Sequence, residues 1–114
     1  MSPAPAPHPL AARIARREVS AAEVVRTSLG AIAARDAEIH AFLEVFEDRA
    51  LRRARHIDAQ LAAGEAVGPL GGVPVAIKDN ICVAWGRTTC GSRMLERYQS
   101  PFHATAAQRL IDAG

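Results

Sequence analysis

The chain has 114 residues, 49% of them apolar, and a formal net charge of +2. That length makes one small domain, and so small a charge does not support nucleic-acid binding by bulk electrostatics. Alanine supplies 24 of the 56 apolar residues, so any core made from this chain alone is thin.

Residues 1–9, Met-Ser-Pro-Ala-Pro-Ala-Pro-His-Pro, read as a flexible Pro/Ala arm. Prolines at every second position favour an extended, solvated backbone. No apolar run follows the start, so no secretory leader is expected. Arg13, Arg16 and Arg17 faintly suggest a transit peptide, but a short surface helix over Leu10 to Arg17 fits better.

Ser20-Ala-Ala-Glu23 has the form of a capping box. In such a box the hydroxyl takes the N3 amide and the Glu reaches back. Val25, Leu29 and Ile32 repeat at helical spacing after it, with Val24 beside them. This helix is predicted to end near Asp36, and the apolar run Ala41 to Phe46 is ambiguous. A second long helix is predicted over Glu47 to Ala63, with Phe46, Ala50, Ala54, Ile57 and Leu61 on one stripe. Arg49, Arg52, Arg53 and Arg55 lie mostly off it. They could bind phosphate or RNA, but Asp48 and Asp58 interleave them, which favours a solvated face with ion pairs such as Asp48 to Arg52. Gly64 is placed to close the helix.

Gly64, Gly68, Pro69, Gly71, Gly72 and Pro74 then punctuate a loop. Ala66 to Ile77 is the longest charge-free stretch here, and it is too short and broken to span a membrane. Val73 to Ile77 reads as a short buried strand with Lys78-Asp79-Asn80 at its C-terminal end. Ile81 to Pro101 looks irregular. Thr105-Ala-Ala-Gln108 reads as a second capping box that opens a helix through Ile111. A strand followed by a crossover helix is half of a parallel unit, and its return strand is expected next. The organisation thus suggests a piece of something larger.

Of the 14 cations, 13 are Arg and one is Lys78. Arg stays protonated, whereas burial can free a Lys amine to act as a base. The plain alternative is a surface Lys at a strand end, paired to an acid. Cys82 or Cys90 could pair with His103 as a thiol nucleophile, yet nothing fixes their approach. Two cysteines make no disulfide framework and suit a reducing compartment. His8, His40, His56, His103 and the cysteines show no metal-ligand spacing, so no metal is expected. No phosphate-cradling glycine loop is present, and no cofactor is expected on this chain.

Gly68-Pro-Leu-Gly-Gly-Val-Pro-Val-Ala-Ile-Lys-Asp-Asn-Ile81 resembles the start of the amidase signature family. Thr88-Thr-Cys-Gly-Ser92 and the later Ala104-Thr105, Arg109-Leu110 and Ala113-Gly114 share that likeness. Within the family, Lys78 to Cys82, Arg87 to Cys90, Met94 to Glu96 and Ser100 to Phe102 look most like the A subunits of glutamyl-tRNA(Gln) amidotransferases. The likeness covers about residue 10 to the end and is strong over 68–114.

The resemblance implies an α/β fold: here N-terminal helices plus the first strand or strands of a mixed sheet, incomplete. Residues 10–114 would be the N-terminal part of a single amidase domain. It implies a Ser-cis-Ser-Lys triad in which Lys78 is the base. The activity implied is release of ammonia from glutamine. A B subunit using ATP and Mg would receive the ammonia and carry the tRNA, and a C subunit would complete the heterotrimer. Glu-tRNA(Gln) and Asp-tRNA(Asn) are both open as acceptors. A cytoplasmic, bacterial-like setting follows, with a mitochondrial one the lesser alternative.

Two departures stand out. Trp85-Gly86 occupies a place where many relatives carry an earlier Gly. Both catalytic serines of the family lie in a Gly/Ser-rich segment, and none of Ser2, Ser20, Ser28, Ser92 and Ser100 has such surroundings. The chain alone is therefore expected to be inactive. A stand-alone amidase acting on small carboxamides, or a non-enzymatic helical module using residues 20–63, are the alternatives. The module predicts a cooperative melt for the isolated chain; the fragment predicts a broad one or none.

Overall fold

The computed structural model describes residues 8–114. The arm expected over residues 1–9 therefore lies outside them, except for His8 and Pro9. Pro9 opens α1 (Pro9–Ala15), and the His8 side chain accepts the Leu10 amide at 3.3 Å. Proline suits a first helical position, where its missing N–H has no intrahelical acceptor. The helix closes with Arg17 at φ 58°, the Arg17 amide on Ile14 O at 2.8 Å and the Glu18 amide on Arg13 O at 3.0 Å. This is a Schellman end with arginine in the place glycine usually takes. The short surface helix expected over Leu10 to Arg17 is found, with Ala11 and Ile14 on its buried side.

Helix α2 runs Ala21–Ile39. Ser20 Oγ accepts the Glu23 amide at 3.0 Å, as half of the capping box requires. The other amides are met from elsewhere. Asp58 Oδ1 accepts from Ala21 N at 2.7 Å and Oδ2 from Ala22 N at 3.0 Å. The helix passes the expected stop at Asp36 because that residue anchors its end. Asp36 O takes the His40 amide, and its carboxylate takes the Ala41 amide at 2.7 Å.

Helix α3 covers Glu47–Ala62 and packs on α2. Its predicted stripe points inward, with Ala54 and Ile57 buried and Ala50 and Leu61 partly so. Gly64 closes it at φ 75°, with Gly64 N on Leu61 O and Glu65 N on Gln60 O. Helix α4 spans Thr105–Asp112, and its cap is Ala104 with no side-chain bond. Thr105 sits one residue inside the helix, so the second capping box is not formed.

The core joins Ile14, Ala21, Ala22, Val25, Ala54 and Ile57. Four bulky apolar side chains are buried among the described residues, while nine are exposed. Val75, Phe42 and Leu43 are among the nine. The thin core expected from alanine content is thus observed, and it covers only part of the apolar surface.

The predicted strand is the main correction. Among the described residues there is no strand, only an isolated antiparallel bridge between Arg87 and Gln99 and a 3-10 turn over Arg93–Leu95. Val73–Ile77 forms no ladder, and Val75 is 49% exposed. Val75, Ala76 and Ile77 donate to no protein acceptor among the described residues. A lone strand leaves its backbone groups unpaired, and a sheet needs several. The mixed sheet is accordingly not formed within these residues.

Candidate active site

Lys78 follows the unpaired segment and begins a turn closed by Ile81 N on Lys78 O at 2.9 Å. It is exposed, and its ammonium makes no ion pair among the described residues. The carboxylate next door is held by the 89–91 loop. Asp79 Oδ1 accepts from Thr89 N at 2.8 Å, and Oδ2 accepts from Thr89 Oγ1 and from Gly91 N at 3.3 Å. The hydrogen bond from the Thr89 hydroxyl holds the Asp79 carboxyl below its ordinary range, helped by the Thr89 and Gly91 amides. The Asp79 carboxylate is thus engaged by the 89–91 loop and makes no ion pair with Lys78.

The loop that holds Asp79 is a tight turn. Ser92 N reaches Thr89 O at 2.8 Å, with Cys90 at φ 51° and Gly91 at φ 67°. Two successive positive angles are the mark of a type I′ turn. Thr88 beside it is 3% exposed, and its Oγ1 has no hydrogen-bond partner among the described residues.

An Arg-Trp-His stack supports the loop from the other side. The Arg49 guanidinium lies 4.3 Å from the Trp85 ring centre, and the His103 ring meets Trp85 edge-on at 4.4 Å. His103 Nδ1 accepts the Ala84 amide at 3.0 Å. Gly86 is needed here, because a Cβ would run into the Phe46 ring. The departure at Trp85-Gly86 is thus a packed feature. Arg53 donates to Ile111 O at 3.2 Å. These arginines dock α3 to its neighbours, and the expected Asp48 to Arg52 ion pair is absent among the described residues.

Other candidates are not brought together. Neither Cys82, half-buried, nor Cys90, exposed, bonds to His103. Ser92 Oγ accepts the Met94 amide, and Ser100 is buried with its hydroxyl on Phe102 O. Among the described residues no group of three or more His, Cys, Asp or Glu could hold a metal ion. No helix among them is long and apolar enough to cross a membrane.

An open apolar groove of about 590 Å³ lies beside the unpaired segment. Leu29, Ile32, Phe46, Val75, Leu110 and Ile111 line it. Its wall thus includes the backbone that lacks a mate.

The Amidase family model matches residues 23–114. The chain belongs to the amidase family. The A subunit of the glutamyl-tRNA(Gln) amidotransferase of Acidothermus cellulolyticus is 55% identical over 105 residues, covering 92% of this chain and 21% of that protein. A chain from a vestigial protein complex that reveals the evolutionary origins of an s-triazine catabolic enzyme superposes with TM-score 0.86 at 33% identity, covering 92% of this chain and 23% of its own. A native peptide amidase from Stenotrophomonas maltophilia gives TM-score 0.83 at 35% identity, covering 92% and 22%. The chain therefore spans about a fifth of the length of the relatives it matches. The chain has the fold of the corresponding part of these amidase relatives, helical and without strands among the described residues.

Proposed function

We propose that this chain supplies the N-terminal portion of the A subunit of a tRNA-dependent amidotransferase, with Lys78 as the base of a Ser-cis-Ser-Lys triad. The carrying observation is the state of Lys78. The only lysine of the chain is exposed at the end of a segment without a ladder, makes no ion pair among the described residues, and has its neighbour Asp79 engaged by Thr89. The amine is open to partners that the rest of an amidase would bring. A neighbouring strand on Val73–Ile77 and a covered groove would remove water around it, and desolvation favours the neutral amine. The mixed sheet would be completed by those strands.

In this reading the neutral Lys78 Nζ takes a proton from a bridging serine. That serine takes one from the nucleophilic serine, which attacks the glutamine side-chain amide. The proton is returned to the departing nitrogen, ammonia leaves, and water releases glutamate from the acyl-enzyme. Both serines belong to polypeptide outside this chain. Ammonia passes to a B subunit, where ATP, Mg and the misacylated tRNA are handled, with a C subunit completing the complex in the cytoplasm. The names of the relatives support the amidotransferase assignment.

Glutaminase assays test it. In a complete A subunit carrying this segment, Lys78→Ala is expected to lower turnover by roughly 10³-fold or more. Lys78→Arg is expected to do nearly the same, since guanidinium keeps its proton. Near-normal turnover in either variant removes the base from Lys78. The isolated chain is expected to release no ammonia. A stand-alone amidase is the second reading, favoured by the likeness to the peptide amidase. Failure of B and C subunits to co-purify with the complete protein would select it.

A further inference from the structure

We infer that Asp79 is a positioning residue for Lys78: the Asp79 clamp on Thr89–Gly91 sets where the lysine backbone stands. The inference rests on the reading of Lys78 as the triad base. On the N-terminal side the backbone before Lys78 is loosely tied: among the described residues Val75, Ala76 and Ile77 make no backbone hydrogen bond. On the C-terminal side the order is complete. Asp79 accepts three hydrogen bonds at its carboxylate, and its carbonyl takes the Cys90 amide at 3.1 Å. All four come from Thr89, Cys90 and Gly91. Gly91 N is shared with Thr89 Oγ1 at 3.2 Å, so donors and acceptor form one closed set.

The clamp holds costly geometry. Cys90 sits at φ 51°, a region that non-glycine residues adopt only when their surroundings enforce it. Charge strengthens the clamp, since hydrogen bonds to an ionised acceptor are about twice as strong as neutral ones. The Thr89 hydroxyl keeps the carboxyl below its ordinary range, so Asp79 is ionised at neutral pH. Its carboxylate oxygens are taken up by the 89–91 loop and make no ion pair with Lys78.

The single lysine makes the test direct, because a chain labelled with ¹⁵N-lysine gives one backbone amide signal, that of residue 78. The variants are Asp79→Asn, Asp79→Glu and Thr89→Val in a complete A subunit, with only the segment 1–114 carrying ¹⁵N-lysine and ligated to the unlabelled remainder. Asp79→Asn and Thr89→Val are expected to lower the ¹H–¹⁵N NOE of the Lys78 amide toward that of an unrestrained residue. They are expected to speed exchange of the Ile81 amide roughly tenfold, while Leu29 and Ile57 amides keep their protection. Asp79→Glu is expected to recover part of the loss. A Lys78 amide that stays as ordered in both variants as in the parent chain overturns the inference.

In a complete A subunit, Asp79→Asn is expected to lower kcat roughly 10²-fold with KM unchanged, as misplacement by about 1 Å does. A loss of yield with normal kcat would mark a purely structural role and also overturn it. The two failures separate cleanly. If Lys78→Ala keeps its turnover, the base assignment falls, while the Lys78 amide still reports whether Asp79 fixes that position.

Discussion

Asp58 on α3 accepts the Ala21 amide at 2.7 Å with one carboxylate oxygen and the Ala22 amide at 3.0 Å with the other. One side chain thus satisfies two of the four amides that every helix start leaves without partners. It also ties α2 to α3 at their shared core, beside Ala21, Ala54 and Ile57. Its negative charge at a helix N-terminus adds a favourable dipole interaction. Asp58→Ala is expected to cost about 1–2 kcal/mol, the upper range for losing a cap. Faster exchange at Ala21 and Ala22, with α4 unaffected, checks it. Asp58→Asn keeps one acceptor and should fall between.

Gly68 meets the C-terminal end of α4. A Cβ there would overlap the Ala113 carbonyl. Leu70 N donates to Ala113 O at 2.9 Å, and Gly72 N to Gly114 O at 3.2 Å. The glycine loop is therefore fastened to residues 113–114 by close backbone contact. Gly68→Ala is expected to open this contact at a cost of about 1–3 kcal/mol. Loss of exchange protection at Leu70 and Gly72 is the measurement. Unchanged protection at both amides would show that the loop can shift without cost.

These two contacts show why the sequence was legible in some places and not in others. The α2 start, the α3 stripe and the Gly64 stop depend on residues within one or two turns, so spacing alone reveals them. The Asp58 cap joins residues 36 and 37 positions apart. No local pattern marks it, and by charge alternation Asp58 reads as a solvated residue. The Val73–Ile77 strand failed for another reason. Its residues have the right composition, but a strand is defined by a neighbour, and these residues include none. Lys78 is conspicuous in the sequence as the one lysine among 13 arginines. The Asp79 to Thr89 contact beside it is not, because it spans ten residues of irregular chain.

Adjacent threonines should respond with opposite sign. Thr88 Oγ1 is buried without a partner, whereas Thr89 Oγ1 bonds to Asp79. A buried hydroxyl without a partner keeps its desolvation cost, about 1–3 kcal/mol. Thr88→Val removes that group at nearly constant shape and is expected to be neutral or to stabilise by up to about 1 kcal/mol. Thr89→Val leaves a charged acceptor short of a donor and is expected to destabilise the 89–91 loop. Exchange of the Gly91 amide in the two variants compares them. Equal losses in both would mean that Thr88 Oγ1 has a partner in solution.

Acid should release the Asp79 clamp late. Hydrogen bonds from the Thr89 hydroxyl and amide favour the ionised carboxyl, which lowers its pKa from the ordinary 3.8. A group lowered on folding contributes stability above its unfolded pKa, and that contribution is lost as pH falls through the folded value. The contribution is thus full above about pH 4 and declines only below the ordinary value. The Thr89 amide signal is expected to hold its position through pH 4 and to move only in more acid solution. If the Thr89 signal titrates at or above the ordinary carboxylate value, the hydroxyl does not favour the ionised form. The clamp on Lys78 would then rest on the Asp79 carbonyl and the turn alone.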